Sequence, residues 1–310
     1  MTTFFIIANP VAGRGACAKV IPQVQRILDH REAEFQLVRT AEPWHGFELA
    51  RAAAQEFDVV VALGGDGTAN EVINGLISAK MEGLGSAVLG VIGAGRGNDF
   101  ANTLAIPDDL NSACSLLLQN QARPIDVGRV YGGDVPDGRY FGNCLGVGFD
   151  AIATIEASKL PRMGGFFSFL LAILKTIVLY NEAPISTITF NEETVTQPSL
   201  MISIMNGKRL GGGFIMAPSA EPDDGLFDLC IAHQVSRLRV LTLLPHFLKG
   251  SQASQPEILT GKAASILITT AEGALPAQTD GEIICRNGNH LRIELLPGEL
   301  DAICGPMETS

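Results

Sequence analysis

The chain has 310 residues, long enough for two domains of ordinary size, and a formal charge of −11 from 33 acidic against 22 basic side chains. That excess repels a polyanionic phosphate backbone and no polybasic run offsets it, which argues against nucleic acid as a partner. With 46% hydrophobic residues, 18% charged residues and 34 glycines, bulk disorder is excluded and an α/β chain rich in tight turns is expected.

Taken in order, Phe4–Ala8 is a short apolar run that reads as a strand; it is too brief for a signal peptide and lacks a basic lead. After the turn Asn9–Gly15, Val20, Ile21, Val24, Ile27 and Leu28 share one face of a helix. Phe35–Val38 is a second strand, Gly46–Phe57 a second helix, and Val59–Leu63 a β-branched strand short enough to be buried on both faces. Gly64-Gly-Asp-Gly67 breaks it. Thr68 is placed to cap a helix carrying Val72, Ile73, Leu76 and Ile77, and Ala87–Ile92 is a fourth strand before the turn Gly93–Gly97. Four strand–helix alternations predict a doubly wound parallel α/β domain over residues 1–122.

From residue 123 to 296 candidate strands follow one another directly: Ile125–Val130, Tyr140–Val147, Ile185–Phe190, Leu200–Met205, Leu226–Ala232, Ala264–Thr270, Glu282–Cys285 and Leu291–Leu295. This predicts a β-sandwich domain interrupted by two apolar helices, Gly165–Tyr180 and Leu238–Leu248. The longest apolar stretch, Phe166–Tyr180, contains Lys175 and falls short of the roughly 20 residues that span a bilayer. Cys17, Cys114, Cys144, Cys230, Cys285 and Cys304 stand singly, with no C-x-x-C pair, so a reducing, cytoplasmic setting without disulfides is expected. By pattern alone the run Asp301–Cys304 closes either domain.

In an open parallel sheet, ligands bind beyond the carboxyl ends of the strands, and three glycine loops fall there: Asn9–Gly15, Gly64–Thr68 and Gly93–Asn98. Glycines let backbone N–H groups approach phosphate oxygens, and the helices that follow add a favourable dipole. Any one such loop is more often a plain strand-to-helix turn. Asp66, flanked by glycines, has little packing purpose and leaves a carboxylate for Mg²⁺–phosphate or a proton. None of the loops is a Walker A or a dinucleotide fingerprint.

Val61-Ala-Leu-Gly-Gly-Asp-Gly-Thr-Ala-Asn-Glu-Val-Ile-Asn-Gly-Leu76 resembles the nucleotide-binding signature of the diacylglycerol kinase catalytic domain, shared with sphingosine kinases and bacterial soluble lipid kinases. Asn9-Pro-Val-Ala-Gly13, Asn98-Asp-Phe-Ala101, Asp126-Val-Gly128, Phe141–Asp150, Ala217–Asp228 and Thr279-Asp-Gly-Glu282 extend the resemblance in the family's order over essentially the whole chain. It implies an NAD-kinase-like nucleotide-binding α/β domain, a lipid-binding β-sandwich, an active site between them, and a final segment 297–310 that returns to the first domain. The activity implied is ATP- and Mg²⁺-dependent phosphoryl transfer to a lipid hydroxyl. A soluble acceptor, as in NAD kinase, and a nucleotide-binding regulatory protein without catalysis are the alternatives.

The resemblance places the nucleotide on Asn9, Pro10, Val11, Ala12, Gly13, Thr40, Gly65, Asp66, Gly67, Thr68, Ala69, Asn70 and Glu71. Where the family usually has Pro-x-Gly-Thr, this chain has Gly93-Ala-Gly-Arg96, so Arg96 replaces a threonine; it either reaches a phosphate or points to solvent. The family implies Glu282 or Asp66 as the general base, and Glu282 is preferred. It also implies a structural Mg²⁺ at Asp224, with Glu221 and the Leu226 carbonyl as further ligands, supported by Asp99, Asp126 and Asp280. On spacing alone the acidic cluster is a solvated turn, Asp99 and Asp126 are cap and turn residues, and Asp-Gly is a hairpin. A lipid substrate implies membrane-surface association, for which Lys159, Arg162, Lys208 and Arg209 are candidate contacts. A homodimer is the default assembly.

Overall fold

Short runs of β-branched residues alternating with amphipathic stretches fold, in the computed structural model, into a parallel sheet flanked by helices. The structure describes residues 1–160, 165–180 and 182–306. One compact unit comprises Met1–Ile125 and the chain from Gly298 onward; the other is Asp126–Pro297.

The first unit runs β1 (Thr3–Ala8), a distorted single turn α1 (Ala12–Gly15), α2 (Cys17–His30), β2 (Glu34–Arg39), α3 (His45–Ala53), β3 (Val59–Gly64), α4 (Asp66–Met81), β4 (Val88–Gly93), α5 (Asp99–Thr103) and α6 (Leu110–Gln119). β1 lies parallel to both β2 and β3, and β3 to β4, giving the order β2-β1-β3-β4. The chain leaves β1 toward one edge and later crosses to the other, so the switch point lies between the carboxyl ends of β1 and β3. Every residue of β3 is buried. Ile21, Val24 and Leu28 of α2 and Val72, Ile73, Leu76 and Ile77 of α4 are buried as well, each large side chain contributing about 1.5–3 kcal/mol. A Cβ on Gly90 would stand 2.7 Å from a methyl of Leu117, so glycine there lets α6 lie close on the sheet.

The second unit contains β5 (Ala122–Gly132), which begins in the first, then β6 (Val135–Phe141), β7 (Cys144–Gly148), α7 (Phe149–Lys159), α8 (Gly165–Leu179), β8 (Ile185–Phe190) and β9 (Glu193–Met205). It continues with β10 (Arg209–Leu210), β11 (Phe214–Ile215), β12 (Phe227–His233), α9 (Arg237–Lys249), β13 (Ile258–Ala263), β14 (Ser265–Thr270), β15 (Ala277–Thr279), β16 (Glu282–Cys285) and β17 (His290–Ile303). β9 serves two sheets: Glu193–Pro198 pairs with β8, whereas Met201–Met205 pairs with β7 and β12. Pro198 marks the crossing, where a missing N–H is tolerated.

Alternation along β9 and β12 then divides two cores. Ile202, Ile204, Leu229 and Ile231 enter one cluster with Ile188, Ile266, Ile268 and the stacked rings of Phe141 and Phe227. Met201, Met205, Cys230 and Ala232 enter the other, with Ile173 and Ile177 of α8 and Leu243 and Phe247 of α9. The two apolar helices thus pack on the outer face of a sandwich sheet.

Three sequence expectations need correction. Tyr140–Val147 is not one strand, because the chain breaks at Gly142-Asn143 between β6 and β7. The expected strand Ala264–Thr270 is preceded by an unforeseen one, β13, whose middle is the polar, glycine-containing Thr260-Gly261-Lys262. Leu291–Leu295 and Asp301–Cys304 belong to a single strand, β17, which pairs antiparallel with β14 and then sets Ala302 parallel opposite Leu89 of β4.

Candidate active site

The three glycine loops of the first unit meet. Gly13 has φ 59°, and a Cβ on it would stand 2.8 Å from the Ala94 carbonyl oxygen, so the loop after β1 lies against the loop after β4. A Cβ on Gly95 would come within 2.4 Å of Gly65 Cα, which makes the contact between the loops after β3 and β4 backbone on backbone. The Asn9 N–H donates to the Leu63 carbonyl at 2.9 Å, and Asn9 Nδ2 donates to Thr68 Oγ1 at 3.0 Å. The Thr68 hydroxyl therefore joins two loops rather than capping α4, which starts at Asp66 after the extended residue Gly65. No side-chain hydrogen bond caps this sixteen-residue helix, so its positive end is left to the loops.

Asp66 stands at that end. Its Oδ1 accepts the Phe100 N–H at 3.0 Å, tying the β3 loop to α5, while the Gly95 N–H donates to Asn98 Oδ1 at 2.8 Å. Arg96 lies close enough to Arg14 to feel its charge: partial burial and the neighbouring guanidinium both lower its pKa. Two cations on the adjoining loops after β1 and β4 form a setting that favours a polyanion. Thr40 reaches the same edge, its N–H donating to the Ala8 carbonyl at 2.9 Å. Burial and protein partners place the remaining candidates. Ala69 and Asn70 are buried, Asn70 bonded to Asn74, and the Glu71 carboxylate accepts the N–H groups of Trp44 and Gly46 at 2.9 Å each, capping α3. Val11 is exposed, and Asp99 is buried at the start of α5.

In the second unit, Asp280 and Gly281 have φ 48° and 89°, as a two-residue hairpin turn between β15 and β16 requires. The Asp280 carboxylate turns inward. Its Oδ2 accepts the Gly142 N–H at 2.9 Å, and Oδ1 accepts those of Asn143 and Cys144 at 3.0 and 2.9 Å. These bonds account for the break between β6 and β7. Glu282, the next side chain but one, is exposed at the start of β16.

The acidic turn is closed from within. The Asp126 N–H donates to the Pro222 carbonyl, and its buried carboxylate accepts the Gly225 N–H, each at 2.7 Å. Asp224 Oδ1 accepts the Leu226 N–H at 3.0 Å, and Oδ2 accepts from Lys262 Nζ at 2.7 Å. Lys262 is also 3.2 Å from Asp228 Oδ2. Burial opposes its charge, but the two carboxylates outweigh that and raise its pKa. Among the described residues no group of three or more His, Cys, Asp or Glu is arranged to hold a metal. Asp224, Glu221 and the Leu226 carbonyl do not fit a bound cation while Lys262 occupies the carboxylate. Arg162, one of the expected membrane contacts, lies outside the described residues, and Lys159 is paired with Glu156 at 2.6 Å.

Residues 3–130 match the model of the diacylglycerol kinase catalytic domain, and residues 143–304 match that of the YegS C-terminal NAD kinase beta sandwich-like domain. The diacylglycerol kinase of Bacillus subtilis (strain 168) is 31% identical over 281 residues, covering 89% of this chain and 88% of that one. The "Probable lipid kinase YegS-like" of Chromohalobacter salexigens is 33% identical over 288 residues, 90% of this chain and 88% of its own. This chain belongs to the diacylglycerol kinase catalytic-domain family. A solved diacylglycerol kinase from Bacillus anthracis str. Sterne shares the fold, with a TM-score of 0.73, 23% identity and coverage of 98% and 97% of the two chains. An α/β amino-terminal domain with a carboxyl-terminal β-sandwich is therefore the fold of this kinase family member.

Three residues of this family member escaped sequence reasoning. Arg14 stands in the loop Asn9–Gly15, and only the fold brings its charge near Arg96. Lys262 sits on the unforeseen strand β13. Asp150 is buried beside Phe149, Ala153 and Leu200, and the Ser203 hydroxyl donates to it. Burial pushes its carboxyl up to about 7, against the lowering effect of Ser203. An acid inside the apolar run Val147–Ala151 was the available signal.

Proposed function

We propose that this protein is an ATP- and Mg²⁺-dependent lipid kinase that transfers the γ-phosphoryl group to a lipid hydroxyl, with a diacylglycerol-like acceptor. The observation that carries the reading is the meeting of three glycine loops around Asp66, the open end of α4, Arg14 and Arg96. The nucleotide lies along Asn9, Gly13, Thr40, Gly65, Gly67 and Thr68, with phosphates toward the α4 N–H groups. Asp66 offers a hard oxygen ligand, which suits a Mg²⁺ ion that takes most of its other ligands from phosphates and water. The metal, when bound with the nucleotide, neutralises charge that develops on the transferring group. Arg96 and Arg14 supply guanidinium donors to phosphate oxygens in place of the family's threonine. Glu282, exposed and fixed by the Asp280 anchor two residues before it, takes the acceptor's proton as its oxygen attacks.

The acceptor's location fits the second unit's surface. Phe167, Leu171, Leu174 and Val178 recur along α8 and are all exposed, as are Leu238, Leu241 and Leu248 on α9. Neither helix carries an acidic residue, and their cations are Arg237 and Lys249 together with Lys175 and Arg239, which pair with Glu156 and Glu257 outside the two helices, a composition suited to resting in an anionic lipid interface. No helix among the described residues is long and apolar enough to cross a membrane. The apolar cavity beneath, between Phe149, Phe169, Ile173, Leu243 and Phe247, measures ≈ 60 Å³, about two water volumes and too small for an acyl chain. Peripheral association with the acyl chains left in the bilayer is the arrangement we infer. All six cysteines are buried thiols, in keeping with a cytoplasmic setting.

Transfer of labelled phosphate from ATP to a panel of lipids in mixed micelles tests the reading. Label in the organic phase supports it, and mass spectrometry of a lipid extract names the acceptor. Label on NAD, or none on any long-chain alcohol, overturns it.

A further inference from the structure

We propose that the ammonium of Lys262 stands in for a structural divalent cation at the turn Glu221–Leu226, so that this chain holds the turn without metal. The position of Lys262 follows from backbone register. In the antiparallel ladder of β12 and β13, Lys262 is directly opposite Asp228, and the two side chains share a face. From there its Nζ bridges Asp228 Oδ2 at 3.2 Å and Asp224 Oδ2 at 2.7 Å. The remaining oxygens already have protein donors: Asp224 Oδ1 accepts the Leu226 N–H, and Asp228 Oδ1 accepts the Ser219 hydroxyl at 2.7 Å.

The turn is also fastened from its other side, where the buried Asp126 carboxylate receives the Gly225 N–H. Every task a bound cation would perform here, drawing Asp224 toward β12 and neutralising adjacent carboxylates, is performed by one lysine. A divalent ion would have to displace the ammonium from Asp224 or share the carboxylate with it, and like charges at that separation repel strongly outside bulk water. Asp224 and Asp228 carry two negative charges and Lys262 returns one, so removing the lysine leaves an acidic pair able to recruit a hard cation.

The test uses the full chain, stripped of metal and free of nucleotide, so its outcome is independent of phosphoryl transfer and of the acceptor. Wild type, Lys262→Ala, Asp224→Asn and the double variant are melted in EDTA and in millimolar MgCl₂. The wild type is expected to melt at one temperature in both. Lys262→Ala is expected to melt lower in EDTA and to recover with Mg²⁺, a recovery absent from the double variant. Mn²⁺ titration followed by electron paramagnetic resonance is expected to show binding at least about tenfold tighter in Lys262→Ala than in wild type, equivalent to about 1.4 kcal/mol.

A wild type stabilised by Mg²⁺, with that response lost in Asp224→Asn, overturns the proposal. So does a Lys262→Ala variant that melts like wild type in EDTA and gains no Mn²⁺. Should Lys262→Ala fail to fold, Mn²⁺ titration of wild type against Asp224→Asn decides alone: equal binding supports the lysine, and a site lost with Asp224 overturns it.

Discussion

Asp66-Gly67 and Asp280-Gly281 are the same dipeptide in two different settings. In the first, glycine leads into a long helix, and one carboxylate oxygen accepts the Phe100 N–H. In the second, glycine closes a two-residue hairpin that folds the carboxylate onto three consecutive N–H groups, Gly142 to Cys144. The difference teaches that an acid's role follows from the element after it. A helix amino terminus presents the group to whatever the loops hold, whereas a tight hairpin drives it back into the fold and presents its neighbour, Glu282, instead.

Substitutions at the two positions should therefore fail in opposite ways. Asp66→Asn is expected to lower kcat about a thousandfold while the melting temperature stays near wild type; activity within tenfold of wild type would place the phosphates elsewhere. Asp280→Ala is expected to cost about 3 kcal/mol in urea unfolding, because three buried N–H groups lose their acceptor. Glu282→Gln should reduce kcat about a hundredfold with unchanged nucleotide affinity and unchanged unfolding, separating the presented acid from its anchor.

A third acid, Asp150, extends the comparison. Asp150 holds its proton up to about pH 7 in the folded state, against an ordinary value of 3.8. Between those two pH values the folded state binds the extra proton, so stability falls as pH rises, by up to about 1.4 kcal/mol per unit. Above the folded value the slope vanishes. Unfolding measured from pH 4.5 to 8 should show this decline, flattened in Asp150→Asn. The smallest effect is expected for Arg96→Thr, a rise of about threefold to tenfold in KM for ATP with little change in kcat, reflecting one lost guanidinium contact.

Much of the first unit was legible because its determinants are local. A β-branched run, a glycine turn and an amphipathic helix follow within about twenty residues, so the loops that converge on Asp66 could be located before their distances were known. Even there, the capping of α3 by Glu71 was not legible, because its partners, Trp44 and Gly46, lie 27 and 25 residues away. The second unit resisted for the same reason on a larger scale. The break at Gly142-Asn143 depends on an acid 137 residues later, and Lys262 acquires its partners from a ladder with a strand 34 residues earlier at Asp228.

The sequence by itself determined the alternation of elements, the family signature and the glycine loops, since each is written in contiguous residues whose backbone preferences and periodicity act over one or two turns. Only the tertiary structure decided that Thr68 joins loops, that Asp280 is an anchor, that Asp150 keeps a proton and that Asp224 faces an ammonium. Charge and hydrogen-bond capacity are written at each residue, but the partner that satisfies them is chosen by strand register and burial. Those are fixed by the whole fold.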